Sequence, residues 1–236
     1  MTVLACFQRL ITALDYSAFA LLVMLWALIG WRIENPSSKH PSVSVVMADY
    51  RREWMRQMIT RDPRIFDATI LGNLRQGTAF FASASMISIG GVLALVGNKE
   101  QLIGIADDLT LGRDPDIVWE IKLMVTLFFV TNAFLKFVWS NRLFGYCAVV
   151  MSSVPNEIDH PKTLPRAMKA AEINVTAAKG FNRGLRSVYF GLASAAWLAG
   201  PIALIGATLI TCLVLWRREF ASQSRSVLLS SDAHES

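Results

Sequence analysis

The sequence predicts an all-α fold: an integral membrane bundle of four transmembrane helices with amphipathic helices on its cytoplasmic side. Three observations predict it. Of the 236 residues, 53% are hydrophobic and 17% charged, against about 25% charged in a soluble domain. The apolar residues gather in four runs, each near the roughly 20 helical residues that a bilayer core of about 30 Å requires. Basic residues gather in alternate segments between those runs, which is the positive-inside pattern.

The first run, 14–31, reads LDYSAFALLVMLWALIGW. Arg9 is the one basic residue before it and no small-x-small cleavage site follows Trp31, so it reads as an uncleaved span rather than a signal peptide. The segment 32–75 then carries eight basic residues. Within it Val43, Met47, Tyr50, Trp54 and Met58 recur every three or four positions, with Arg51, Arg52 and Arg56 on another face. That is an amphipathic helix. Two sites suit it, the membrane surface or the cytoplasmic face of the protein itself, and both readings stand open.

The second run, 77–97, is rich in small residues: Gly77, Ala79, Ala82, Ser83, Ala84, Ser85, Ser88, Gly90 and Gly91. Small side chains let helices approach closely in lipid, which favours burial in a bundle or oligomer. Residues 98–116 hold two basic residues, Lys99 and Arg113, against five acids. Asp107, Asp108, Asp114 and Asp116 could offer oxygen ligands to a metal, but an acidic, solvated outer loop is the expected reading. The third run, 117–138, continues into Asn141 and Arg142, and Arg142 is expected at the cytoplasmic boundary. The apolar LFGYCAVVM beyond it is expected to prolong the helix and pack on cytoplasmic helices.

Residues 141–187 carry seven basic residues. Their segment TLPRAMKAAEINVTAAKGFNRGLR reads as a helix, with Thr163 as cap and Pro165 in the first turn. The fourth run, 188–216, is expected to be one span kinked at Pro201. Residues 1–220 thus form a single domain, and the polar tail 221–236 is expected to be disordered. By this count the segments 32–75 and 141–187 are cytoplasmic and both termini lie outside, in a bacterial inner (plasma) membrane. Arg217 and Arg218 disagree, since that topology puts them on the wrong side.

Three phrases, RDPRIFDATILGNLRQGTAFFASASMISIGGVLALVG, FLKFVWSNRLFGYCAVVMSSVP and FNRGLRSVYFGLASAAWLAGP, occur in an order and with a content that resembles the DUF599 family. That family comprises bacterial and plant membrane proteins of unknown function. The resemblance covers about residues 10–220 and implies a four-span membrane protein. It implies no activity.

Candidate functional residues come from polar groups inside the spans, where they cost free energy. Lys122 and Lys136 lie 14 positions apart, close to a whole number of helical turns. One reading has each reach its own membrane surface. The other gathers Asp15, Lys122, Asn132, Lys136 and Ser140 into a buried polar cluster, with Thr126 and Phe129 on the same stripe and Asp15 neutralising Lys122. Glu34, Asp67 or a lipid phosphate would then meet Lys136 and Arg142. Arg75, Arg142, Arg183 and Arg186 fall at one level and are the candidate headgroup-binding set.

Catalytic residues, metal ligands and cofactors are not indicated. His40, His160 and His234 lie outside the spans, and Cys6, Cys147 and Cys212 form no C-x-x-C pair. A lipid enzyme would need a nucleophile, base or metal cluster that no motif supplies. Nucleic acid is not an expected partner, because no basic cluster is free of apolar neighbours. Membrane lipids are, together with further copies of the chain or a larger membrane complex. The expected role is a structural or interaction subunit. The alternative is an oligomeric small-solute transporter or channel that uses the Lys122–Lys136 stripe.

Overall fold

A computed structural model describes residues 12–98, Gly104 and residues 116–230. Among them the helices are α1 (Ala13–Glu34), α2 (Val43–Gln57), α3 (Ile65–Gly97), α4 (Asp116–Ser152), α5 (Thr163–Ala195), α6 (Pro201–Phe220) and α7 (Gln223–Leu229). Short 3₁₀ turns follow α2 (Met58–Thr60) and α5 (Ala196–Ala199). No strand occurs among the described residues. Four helices are long and apolar enough to cross a membrane: Ala13–Glu34, Ile65–Gly97, Ile117–Ser152 and Pro201–Leu229. Large apolar side chains on them point outward, among them Phe80, Ile87, Phe128, Leu135, Ile202 and Leu213. A water-facing surface rarely exposes so much contiguous apolar area.

α3 and α4 have 33 and 37 residues, about 50 and 55 Å at 1.5 Å per residue. Both outlast their apolar runs, because the chain beyond them still has a buried face to satisfy. Along α4 the buried positions are Trp119, Thr126, Ala133, Ser140 and Cys147, with Leu123, Phe137, Phe144 and Met151 beside them. The first row repeats every seven residues, the spacing that keeps one seam against a partner helix.

The chain forms two compact units. The first comprises residues 1–31, 84–133 and 185–216, and the second residues 32–83, 134–184 and 217–236. In the first, the C-terminal part of α5 is held by α1 and α4. Phe190 stacks on Phe129, and Trp197 stacks on Phe19. In the second, a core of Met55, Met58, Leu71, Phe144, Cys147, Met151, Ala167, Ala170 and Ala171 joins α2, α3, α4 and α5. The apolar stretch after Arg142 does prolong α4 into this core. It also decides between the two readings of α2, which packs on the protein's own helices through Ala48 and Met55. Tyr50, expected on its apolar face, is exposed, while Arg51 and Arg52 turn towards α5.

Two expectations are corrected. The run 188–216 is not one kinked helix. α5 ends at Ala195, Gly200 adopts φ 110°, and α6 starts at Pro201. Proline lacks the N–H that would continue α5 but fits the first position of a new helix, and only glycine takes that φ without strain. The tail is not wholly irregular either, since Ser222 caps α7 by accepting from the Arg225 backbone N–H at 3.2 Å. This stretch is tied to the first basic segment. Glu219 binds Ser44, Arg225 donates to the Pro41 carbonyl at 2.9 Å, and Arg32 lies over the Phe220 ring.

Glycines separate the packed helix from the unpacked one. A Cβ on Gly184 of α5 would fall 2.6 Å from Phe137, and one on Gly191 would fall 3.3 Å from Phe129. Phe137 is fully buried and wedged against Phe81 and Phe181, so it has little room to yield. Gly184→Ala is expected to lower stability by about 2 kcal/mol through overpacking. Gly77→Ala on α3, with nothing described within 4 Å of the added carbon, is expected to be neutral or slightly stabilising. Unfolding midpoints in detergent would compare them, and trimming Phe137 to Leu should recover part of the Gly184→Ala loss.

Candidate functional site

The candidate polar residues divide between the two units. In the first, Asp15 opens α1 and is only 7% exposed. Its Oδ2 accepts from the Thr12 backbone N–H at 3.1 Å and from the Thr12 hydroxyl, and its Oδ1 accepts from Trp197 Nε1 at 2.7 Å. Lys122, 3% exposed, lies within electrostatic range of Asp15 and has its Nζ 5.2 Å from the Trp119 ring centroid. Trp197 thus holds the Asp15 carboxylate, and Trp119 lies against Lys122. Trp197 and Trp119 stood outside the candidate set, because nothing in a linear pattern marks an indole N–H as a partner for a carboxylate 182 positions away.

Further along α4, Thr126 and Ser194 share a hydrogen bond of 3.0 Å, and Asn132 donates to the Ser187 hydroxyl at 2.8 Å. In the second unit Ser140 donates to the Ala177 carbonyl at 2.7 Å, and Asn174 donates to Cys147 Sγ at 3.7 Å. These polar groups serve as rungs between α4 and α5. Phe129 and Phe137, both nearly fully buried, occupy α4's inward stripe among them.

Lys136 does not join the cluster. It is half-buried, beside the seam formed by Ala133, Phe137 and Ser140. Lys122, Phe129, Lys136 and Leu143 share one seven-residue register beside that seam, and Lys136 is the one of the four that is not buried. Its expected carboxylates are taken by other cations. Glu34 pairs with Arg183, and Asp67, fully buried, accepts from Arg61 and from Trp54 Nε1.

The arginine set also separates. Arg183 is neutralised by Glu34, and Arg186 is buried near Gly30. Arg75 and Arg142 remain exposed. Arg75 lies beside Gly145, and Arg142 donates to the Tyr146 hydroxyl at 2.5 Å. Asp107, Asp108 and Asp114, and the side chain of Asp116, lie outside the described residues. Among the described residues no group of three or more potential metal-binding side chains occurs.

Two side-chain contacts, one of them ionic, tie α2 to α5. Arg52 Nε donates to Glu172 at 2.6 Å, and Arg51 donates to the Asn174 side-chain oxygen at 2.5 Å. The hydrogen bond from Arg52 holds the Glu172 carboxyl below its usual range. Its contribution is thus present above the ordinary carboxylate pKa and fades as the pH falls. Burial lowers the pKa of Arg51.

The profile of the family described as "Protein of unknown function, DUF599" matches residues 17–224. The chain belongs to the DUF599 family. No curated protein and no solved structure matches it. The match runs from α1 to the start of α7, so this DUF599 protein carries the family's features over nearly all its described helices.

Asp15→Ala removes three hydrogen-bond acceptances and a countercharge from the buried surroundings of Lys122. Unmaking one partner of a buried pair costs on the order of 3 kcal/mol. Asp15→Ala is therefore expected to lower the unfolding midpoint strongly, and the double variant Asp15→Asn with Lys122→Met should regain most of the loss. A double variant no better than the single one would exclude the pairing.

Proposed function

We propose that this protein is a structural or interaction subunit of the membrane, which assembles through the outward face of α3. The carrying observation is a contrast between glycines. Those of α5 are small because α4 presses against them. Gly72, Gly77, Gly90 and Gly91 of α3 have no described atom within 4 Å of a Cβ position. Each glycine inside a helix costs up to about 1 kcal/mol relative to alanine, and nothing described in the chain requires it here. Gly72, Ala79, Ser83, Gly90 and Ala94 form one exposed stripe, the surface that lets a second helix come close. Of the four apolar helices, α3 is also the least buried. Thr126, Asn132 and Ser140 on the stripe that would line a transport path are bonded to α5, which favours a scaffold.

We also place residues 32–75, 141–187 and 217–230 on the cytoplasmic side of the inner membrane, with the start of α1 outside. Positive charge is retained on the inner side, and the contacts of Glu219 and Arg225 join the tail to the first basic segment. α5 then makes a return pass shielded by α1 and α4, so Arg217 and Arg218 obey the charge rule. A C-terminal fluorescent-protein fusion is expected to fluoresce and a C-terminal alkaline-phosphatase fusion to be inactive. The reverse pattern would overturn this placement.

Native mass spectrometry of gently extracted protein tests the assembly. An oligomer or a complex with another membrane protein is expected. Gly72→Leu and Gly90→Leu should dissociate it while shifting the unfolding midpoint by only a few degrees. A wild-type monomer without protein partners, or leucine variants that stay assembled, would refute the reading.

A further inference from the structure

We infer that the cleft between the N-terminal part of α3 and the C-terminal part of α4 binds the headgroup of an anionic phospholipid, with its phosphodiester held by Arg75. The cleft has a volume of about 350 Å³, within the roughly 300–1,000 Å³ of small-molecule sites. It lies wholly in the second unit. Arg64, Ala68, Leu71 and Arg75 line one wall, at a spacing of three or four residues that puts them on one face of a helix. Ala148, Met151 and Ser152 of α4 line the other, with Asn156 beyond them in the chain.

The lining carries charge of one sign. Arg64 and Arg75 contribute to it and no carboxylate does. The two arginines differ in what they already bond. Arg64 donates through Nη1 to the Val154 carbonyl at 2.7 Å and through Nη2 to the Pro155 carbonyl at 2.9 Å. It is thereby fixed at the end of α4. Arg75 is exposed. Its backbone carbonyl accepts from Asn141 at 2.9 Å, while its guanidinium has no bonded partner among the described residues and lies 4.0 Å from the Cβ position of Gly145. A planar guanidinium meets two phosphate oxygens at once. One unengaged guanidinium matches the single negative charge of a phosphodiester better than a phosphate monoester, which carries about −1.5 to −2 at neutral pH.

The position of Arg75 supplies the lipid. It stands just before the apolar run 77–97. The bond from Asn141 sets it beside the stretch of α4 that carries Trp139, Arg142 and Tyr146, all exposed. Aromatic and basic side chains gather where the hydrocarbon meets the headgroups. On the membrane side of this level Phe80 and Leu135 face outward. A lipid whose chains lie along them has its phosphate at Arg75 and the rest of its headgroup in the cleft. Arg142 shares the level but does not line the cleft, and its guanidinium already donates to Tyr146. A lipid in this cleft binds one chain and requires no assembly through α3.

Purified full-length protein in phosphatidylcholine nanodiscs would receive rising fractions of phosphatidylglycerol with the same acyl chains. A ligand bound to the native state raises the unfolding midpoint by mass action, so a saturable rise of several degrees is expected. Inorganic phosphate added to the phosphatidylcholine sample, with potassium chloride at matched ionic strength as control, should give none. Arg75→Gln should remove the rise, and Arg75→Lys, which keeps the charge but loses the fork, should recover only part of it. Arg142→Gln, at the same level but outside the cleft, should leave the rise unchanged. Ala68→Phe, at an exposed position, fills the cleft without altering a charge and should also remove the rise. If Arg75→Gln fails to fold, Ala68→Phe decides. No rise above pure phosphatidylcholine, an equal loss in Arg75→Gln and Arg142→Gln, or an equal rise with inorganic phosphate would overturn the site.

Discussion

The rest of the architecture depends on how closely α5 packs against α4. Gly184 and Gly191 let the backbone of α5 meet the rings of Phe137 and Phe129 directly. Polar rungs at Thr126–Ser194, Asn132–Ser187 and Ser140–Ala177 fix the register. In an apolar environment helices gain nothing from hydrophobic exclusion, so close van der Waals contact and hydrogen bonds must hold them together. Once α4 and α5 are paired, Asp15 can reach Trp197, Glu34 can reach Arg183, and α2 can lie across the extended ends of both helices.

That pairing explains why α5 hides from a hydropathy reading. A run of apolar residues reports contact with lipid. α5 is surrounded by protein instead, by α1 and α4 in one unit and by α2, α3 and α4 in the other. It can therefore carry Asn174, Ser187 and Ser194, all buried, at positions where a lipid-facing helix could not. Only its end, joined to α6, looked apolar, and so residues 188–216 read as a single span. The break at Gly200 and Pro201 ends α5 and starts α6 as a separate helix.

Much of the candidate polar cluster was legible because charge is rare in an apolar run. Asp15 and Lys122 stood out, and both are buried in the same unit. Lys136 stood out equally and shares the register of Lys122, Phe129 and Leu143, yet it is half-buried where they are buried, because burial depends on which neighbours lie at each level of the helix. The arginines were legible as a level and not as a set. Glu34 claims Arg183, α5 buries Arg186, and Arg75 and Arg142 stay at the surface.

By itself the sequence determined what depends on composition and short-range pattern. It fixed the all-α membrane class, the apolar helices α1, α3 and α4, the alternation of charged segments, and the amphipathic character of α2. Solvent preference and helical periodicity act within one or two turns, so they can be read along the chain. Only the tertiary structure decided which side α2 packs on, where α5 ends, which cations are neutralised and which glycines are filled by a neighbour. Many of those outcomes rest on contacts between residues far apart in sequence, such as Arg51 with Asn174, Ser44 with Glu219 and Gly184 with Phe137. Their energies exist only once the helices have met.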